Sequence, residues 1–232
     1  MEFVSTADFW VGLFKIIWIN IILSGDNAVV IALAARSLPA EQQRKAIMFG
    51  SGAAVVLRIV LTVVAARLLE LSFLQVIGGV LLLWIGYQLL SDDDEGDEAH
   101  HKGTGTMMAA IRTILIADLV MSLDNVIAVA ATAQGNMVLL ILGLAISIPL
   151  VVLGSSLMIK LMQRFPVIVT LGAALIGWVG GETIVNDHLM QGYTMAHPWL
   201  HYVAAAAGVV LVVGMGKFMQ LRTAGKGQTE EA

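Results

Sequence analysis

The sequence predicts an all-α polytopic membrane protein: about seven transmembrane helices, arranged as two inverted three-helix repeats plus one extra C-terminal helix. Three observations lead there. Of 232 residues, 58% are hydrophobic and 13% charged, with a mean hydropathy of +0.87; soluble domains average about 45–50% apolar and about 25% charged. Apolar runs long enough to cross about 30 Å of hydrocarbon as helices recur along the whole chain. An Asp-Asn pair sits twice in the middle of such a run, in LSGDNAVVIA (Leu23–Ala32) and MSLDNVIAVA (Met121–Ala130).

The apolar segments fall near residues 10–35, 46–66, 73–90, 108–133, 137–160, 166–186 and 198–219, the third of them short and glycine-containing. The first follows MEFVSTADFW, which lacks the basic stretch of a cleaved signal peptide, so it is expected to be a permanent span. Basic residues then set the direction. Arg36, Arg44 and Lys45 follow span one, Lys102 and Arg112 span three, Lys160 and Arg164 span five, and Lys217, Arg222 and Lys226 span seven. These are ten of the thirteen Lys and Arg. Only Arg67 lies in a loop on the other side, with Lys15 and Arg58 inside spans. The positive-inside rule puts the ten in the cytoplasm, hence the N-terminus outside and the C-terminus inside.

The repeat is read from two anchors. Aligning Ile16–Ala35 with Ile114–Ala133 pairs Ile16 with Ile114, Ser24 with Ser122, Asp26 with Asp124, Asn27 with Asn125, Ala32 with Ala130 and Ala35 with Ala133. Asn20 meets Asp118. Further on, GGVLLLWIG (Gly78–Gly86) meets GAALIGWVG (Gly172–Gly180) with Gly, Trp and Gly in register. Within a single transmembrane domain, residues 10–90 form repeat one, 91–107 an acidic cytoplasmic loop, 108–186 repeat two, 198–219 the seventh span and 220–232 a cytoplasmic tail. Three crossings per repeat is odd, so the second repeat enters from the opposite side. Inverted repeats of this kind build many secondary transporters, with the substrate near the midplane where the repeats meet.

Asp26 and Asp124 lie mid-span, where a carboxylate costs at least about 2.5–3.5 kcal/mol on insertion scales. A compensating cation, proton or arginine is required. Helical spacing puts Asn20, Ser24 and Asn27 on one face, and Asp118, Ser122 and Asn125 on another. Adjacent Asp and Asn point about 100° apart on a regular helix. Gly25 permits local unwinding in the first repeat, whereas Leu123 holds that place in the second, so an asymmetric break is expected. The expected metal set is therefore Asp26, Asn27, Asp124, Asn125, Asp118 and Asn20, with Glu182 of span six a third intramembrane acid. Carboxylate, amide and hydroxyl oxygens suit hard cations such as Mg²⁺, Ca²⁺ and Mn²⁺ rather than copper or zinc. Exchange of metal for protons at the aspartates is a further expectation.

Blander readings stand beside these. Asp26 could form a structural ion pair with Arg58, although Arg58 has no twin: the second repeat is apolar near Val151. Asp118 could sit near the cytoplasmic end of span four, hydrogen-bonded to backbone. Ser24 and Ser122 could be packing residues. The loop Ser91–Lys102, with six acids and two histidines, reads as solvated chain or as a metal collector. The outer loop with Asp187, His188, His197 and His201 could also touch metal. The methionines read as lipid-facing or packing residues.

Several functions are excluded or disfavoured. The chain has no cysteine, hence no thiolate site or cysteine nucleophile. It has no basic patch for nucleic acid and no Walker-type phosphate loop, so ATP does not drive it directly. An intramembrane aspartyl protease would use two aspartates as acid and base, but the Gly-x-Gly-Asp pattern is absent: Leu23-Ser24-Gly25-Asp26 lacks the first glycine. An enzyme is not expected, nor a resident cofactor. The expected partners are a divalent ion as substrate, the lipid bilayer and, in a homo-oligomer, further copies of the chain.

Seven spans with Ser-Gly-Asp-Asn near the start and Ser-Leu-Asp-Asn near the middle resemble the TerC family of bacterial integral membrane proteins, in its YjbE-type branch, over about residues 8–220. The family is named for tellurium resistance and is similar in role to manganese exporters. The resemblance implies Mn²⁺ efflux, with Asp26, Asn27, Asp124 and Asn125 on the ion path. Many relatives carry an acid six residues before the motif aspartate; Asp118 matches and Asn20 departs. A scaffold or stress-resistance complex subunit that moves nothing is the competing expectation.

Overall fold

The computed structural model describes residues 7–23, 25–68, 71–91, 106–133 and 136–230. Among them the chain is entirely helical. The helices are α1 (Ala7–Leu23), α2 (Gly25–Ala35), α3 (Ala40–Leu68), α4 (Leu74–Ser91), α5 (Met107–Ala133), α6 (Met137–Arg164), α7 (Val167–Val185), α8 (Gln191–Ala196) and α9 (Trp199–Glu230). Punctuation in the sequence explains most boundaries. Three of the four prolines, Pro39, Pro166 and Pro198, stand just ahead of α3, α7 and α9, where a missing N–H costs nothing. The fourth, Pro149, lies inside α6 and has no N–H to give the carbonyl four residues back.

The expected first span, 10–35, falls on α1, described to Leu23, and α2, described from Gly25; Ser24 between them lies outside the described residues, and with it the expected break there. In the second half α5 runs unbroken through Leu123. Among the described residues, five helical segments are long and apolar enough to cross a membrane: Ala40–Val64, Leu74–Ser91, Met137–Arg164, Val167–Val185 and Trp199–Gln220. Phe9–Ile19 and Gly25–Ala35 are apolar but shorter. The helix of α9 continues to Glu230, through the stretch expected as a tail.

The chain divides into two compact units: Met1–Glu70 with Met107–Lys160, and Leu71–Thr106 with Leu161–Ala232. In the first unit α3 and α5 run parallel. Ala46 packs in one cluster with Ala110, Ile114 lies over Gly50, and Arg58 meets Asp118 and Ser122. Similarly, α1 and α6 run parallel, with Leu139 over Gly12 and Ile16 over Gly143. Phe9, Leu13, Ile16, Val129, Leu139, Leu140 and Leu144 form the main apolar core there.

The second unit packs α4, α7 and α9 on small residues. The backbones of Gly79 and Gly180 approach each other, as do those of Gly177 and Gly208. Both α4 and α9 lie antiparallel to α7, and close backbone approach at small residues is how helices associate in lipid, where burial of apolar surface gives no driving force. Asp187, fully buried after α7, holds the start of α4. Its carboxylate accepts N–H bonds from Phe73 (3.2 Å), Gln75 (3.1 Å), Val76 (3.3 Å) and Leu189 (3.1 Å). Phe73 is at φ 66°, a left-handed conformation uncommon for a large residue.

Candidate functional site

Several polar residues of the first unit meet at one small, partly open cavity of ≈ 20 Å³, lined by Asn27 and Ile31 of α2, Ser51, Ala54, Val55 and Arg58 of α3, Asp118 of α5, and Ser147, Ile148 and Val151 of α6. A space of this size holds one water-sized particle. Sequence and geometry combine to build it. The parallel α3–α5 register brings Arg58 level with Asp118, and Gly154 of α6 lies in contact distance of Ala28, carrying α6 past the start of α2.

One wall carries a closed charged network. Arg58 Nη2 donates to Asp118 Oδ1 at 2.7 Å and Arg58 Nε donates to Ser122 Oγ at 3.0 Å. Ser122 Oγ in turn donates to Asp118 Oδ2 at 3.1 Å. All three residues are buried. The i, i+4 bond from Ser122 to Asp118 shows the shared face that spacing predicts for this pair. Arg58 thus pairs with Asp118 rather than Asp26, and Asp118 uses side chains rather than backbone.

Other groups of the lining are unsatisfied. Asn27 is 3% exposed, and neither its amide nitrogen nor its amide oxygen has a hydrogen-bond partner; Ser51 Oγ, equally buried, has none either. Buried polar atoms are nearly always paired, and each orphan costs about 1–3 kcal/mol. These three atoms are the buried side-chain orphans among the described residues, and they line the same cavity. Such a concentration marks a place built for something that brings its own bonds.

Asp26, in the first turn of α2, accepts the backbone N–H of Asn27 at 2.8 Å and is half-buried, within electrostatic range of both Arg58 and Asp118. Asn125 on α5 is half-buried and engaged in an interaction. The side chains of Asp124 and Asn20, and the whole of Ser24, lie outside the described residues, as does the acidic loop from residue 92 to 105. The structure therefore brings Asn27 and Asp118 to one cavity with Asp26 nearby. Among the described residues no three His, Asp or Glu side chains come together as a metal cluster.

Ser51 and Ser147 were not singled out by sequence. Ser147 Oγ bonds the carbonyl of Leu144 at 2.6 Å, as a lone helical serine in an apolar run normally does. Ser51 does not, and nothing local distinguishes the two. Glu182 belongs to the second unit, where it lines an open pocket of ≈ 360 Å³ with Trp178, Asn186, Pro198, His201 and Tyr202. Of the outer-loop residues, Asp187 is committed to the α4 terminus, His188 is exposed and His197 packs edge-on against Trp199 at 6.1 Å.

Comparison with known proteins agrees with the architecture. Residues 5–224 match the integral membrane protein TerC family. The chain is 41% identical to the uncharacterized membrane protein YjbE of Bacillus subtilis (strain 168), over 89% of this chain and 94% of that protein. It is 26% identical to the inner membrane protein YoaE of Escherichia coli (strain K12), over 84% of this chain but only 42% of YoaE, so it spans less than half of that relative. It is 27% identical to the uncharacterized membrane protein YkoY of Bacillus subtilis, over 81% of this chain and 61% of YkoY. No solved structure matches. The chain belongs to the TerC family of integral membrane proteins.

Proposed function

We propose that this protein is a secondary transporter that exports a hard divalent cation, most specifically Mn²⁺, through the polar cavity of the first unit. The observation that carries the reading is the convergence of three orphaned polar atoms, from Asn27 and Ser51, beside the Asp118 carboxylate in a space for one small particle. Amide, hydroxyl and carboxylate oxygens are the donors a hard cation takes. Asp26, Asp124, Asn125 and Asn20 complete the proposed path. Manganese rather than another ion, and outward direction, rest on the resemblance to manganese exporters. The ion is substrate, not cofactor, and proton exchange accompanies it.

The proposed architecture is seven crossings, with α1 and α2 together forming the first, in two inverted repeats. Packing supports the repeat. Ile16 and Ile114, aligned in the two halves, each insert at a glycine of the opposite half, Gly143 and Gly50 respectively. Parallel α3–α5, parallel α1–α6 and antiparallel α4–α7 are the directions that an inverted pair of three-span repeats requires. The N-terminus is proposed outside and the C-terminus in the cytoplasm of a bacterial inner membrane.

The absence of native cysteine makes the test direct. Single cysteines introduced at Ser72 and Thr223 should label from outside and only after permeabilisation, respectively. Cells expressing the chain should hold less Mn²⁺ under manganese load than cells expressing Asn27→Leu. Equal metal content in both, with equal protein in the membrane, would leave the scaffold reading standing instead.

A further inference from the structure

We infer that Arg58 is a tethered counter-cation that competes with the transported ion for Asp118. The inference rests on the proposed transport reading and names a control built into the same site. Arg58 is 4% exposed, and its guanidinium holds Asp118 Oδ1 at 2.7 Å while its Nε engages the serine that holds Oδ2. Each carboxylate oxygen already accepts a bond from this network. A cation that binds Asp118 must do so beside the guanidinium, and two positive charges cannot share so small a space without strong repulsion.

The competition explains two features at once. A carboxylate in a buried cavity needs a permanent partner when no ion is present, and Arg58 supplies it without leaving the chain. The orphaned groups, meanwhile, are all neutral: Asn27 and Ser51 stand ready while Asp118, the acid that lines the cavity among the described residues, is guarded. The chain also holds its own uncharged version. Under the repeat, Asp118 corresponds to Asn20 and Arg58 to Val151, which lines the same cavity. Acid and arginine meet across the two halves, and their counterparts, Asn20 and Val151, are both uncharged, as expected if each is tolerated only with its partner.

Packing and charge give different outcomes in a double-mutant cycle. Mn²⁺ binding would be measured on folded, monodisperse protein in detergent, from the EPR signal of free aqueous Mn²⁺, for wild type, Asp118→Asn, Arg58→Gln, Arg58→Lys and the pair Arg58→Val/Asp118→Asn. Asp118→Asn alone leaves the guanidinium charge without its carboxylate and should weaken binding about tenfold or more. The pair, which puts the counterpart residue at each of the two positions, should recover most of that loss although it still lacks the acid. Arg58→Gln should bind about threefold tighter than wild type, and Arg58→Lys, which keeps the charge, should not.

The pair binding no better than Asp118→Asn would overturn the inference, as would Arg58→Gln binding no tighter than Arg58→Lys. Should Arg58→Gln fail to fold, the pair against Asp118→Asn still decides. Absence of any Mn²⁺ binding by folded wild type would remove the transport reading itself, and the inference with it.

Discussion

Replacing Asp187 by alanine should destabilise the second unit more than any other single change outside its core. The carboxylate is fully buried and accepts four backbone N–H bonds, three of them from the first turn of α4 and its preceding residue. Those are the donors a helix leaves without internal partners. At about 1 kcal/mol net per lost bond, four bonds give roughly 4 kcal/mol. Water entering from the helix end refills part, so a loss of about 2–4 kcal/mol is expected, above the usual range for losing a cap. Asp187→Asn keeps one acceptor oxygen and should lose about half as much. Thermal unfolding in detergent, followed by circular dichroism, measures both. Burial pushes the carboxyl upward in pKa, but the N–H bonds from Leu189, Phe73, Val76 and Gln75 outweigh it and hold it below its ordinary 3.8. A depressed folded pKa means that the contribution is complete above the unfolded value of about 3.9. It is lost as pH falls through the lower, folded value. The wild-type advantage over Asp187→Ala should therefore be flat from neutral pH to about pH 5 and shrink below about pH 4. An alanine variant within about 0.5 kcal/mol of wild type at neutral pH would refute the capping argument, since surface substitutions commonly fall in that range.

Other outcomes follow from the same physics. Asn27→Leu removes two orphaned atoms, so its unfolding temperature should match or exceed wild type by up to about 1 kcal/mol equivalent while Mn²⁺ transport is lost; a less stable, fully active variant would contradict the site. Gly208→Ala drives a methyl into the backbone carbonyl of Gly177 and should cost about 1–3 kcal/mol. Gly214→Ala, where an added methyl meets nothing within 4 Å, should be neutral or slightly stabilising, and equal effects of the two would contradict the close α7–α9 contact.

Much of the fold was legible because lipid imposes helices and punctuation marks their ends. Pro166 and Pro198 open α7 and α9. The break expected beside Gly25 falls at Ser24, outside the described residues. Family membership was also legible, from Ser-Gly-Asp-Asn and Ser-Leu-Asp-Asn as a spaced pair. What was not legible is what depends on register between helices. The sequence offered Arg58 a pairing with Asp26 alone; the parallel packing of α3 on α5 brings it to Asp118 instead. Ser51 looks like any serine in an apolar helix until its hydroxyl is found unbonded in the lining that it shares with Asn27. Asp187, read as a metal candidate among histidines, acts across 112 residues of chain on Gln75, a contact no local pattern encodes.

The central claim is that an ion passes through the Asn27 cavity. The most direct test is Mn²⁺ flux into liposomes that contain the purified protein and a fluorescent reporter, with wild type beside Asn27→Leu, Asp26→Asn and Asp124→Asn. Flux in wild type, lost in all three variants while their unfolding temperatures stay near wild type, is the expected result. Wild-type vesicles no more permeable to Mn²⁺ than empty ones, under any proton gradient, would contradict it.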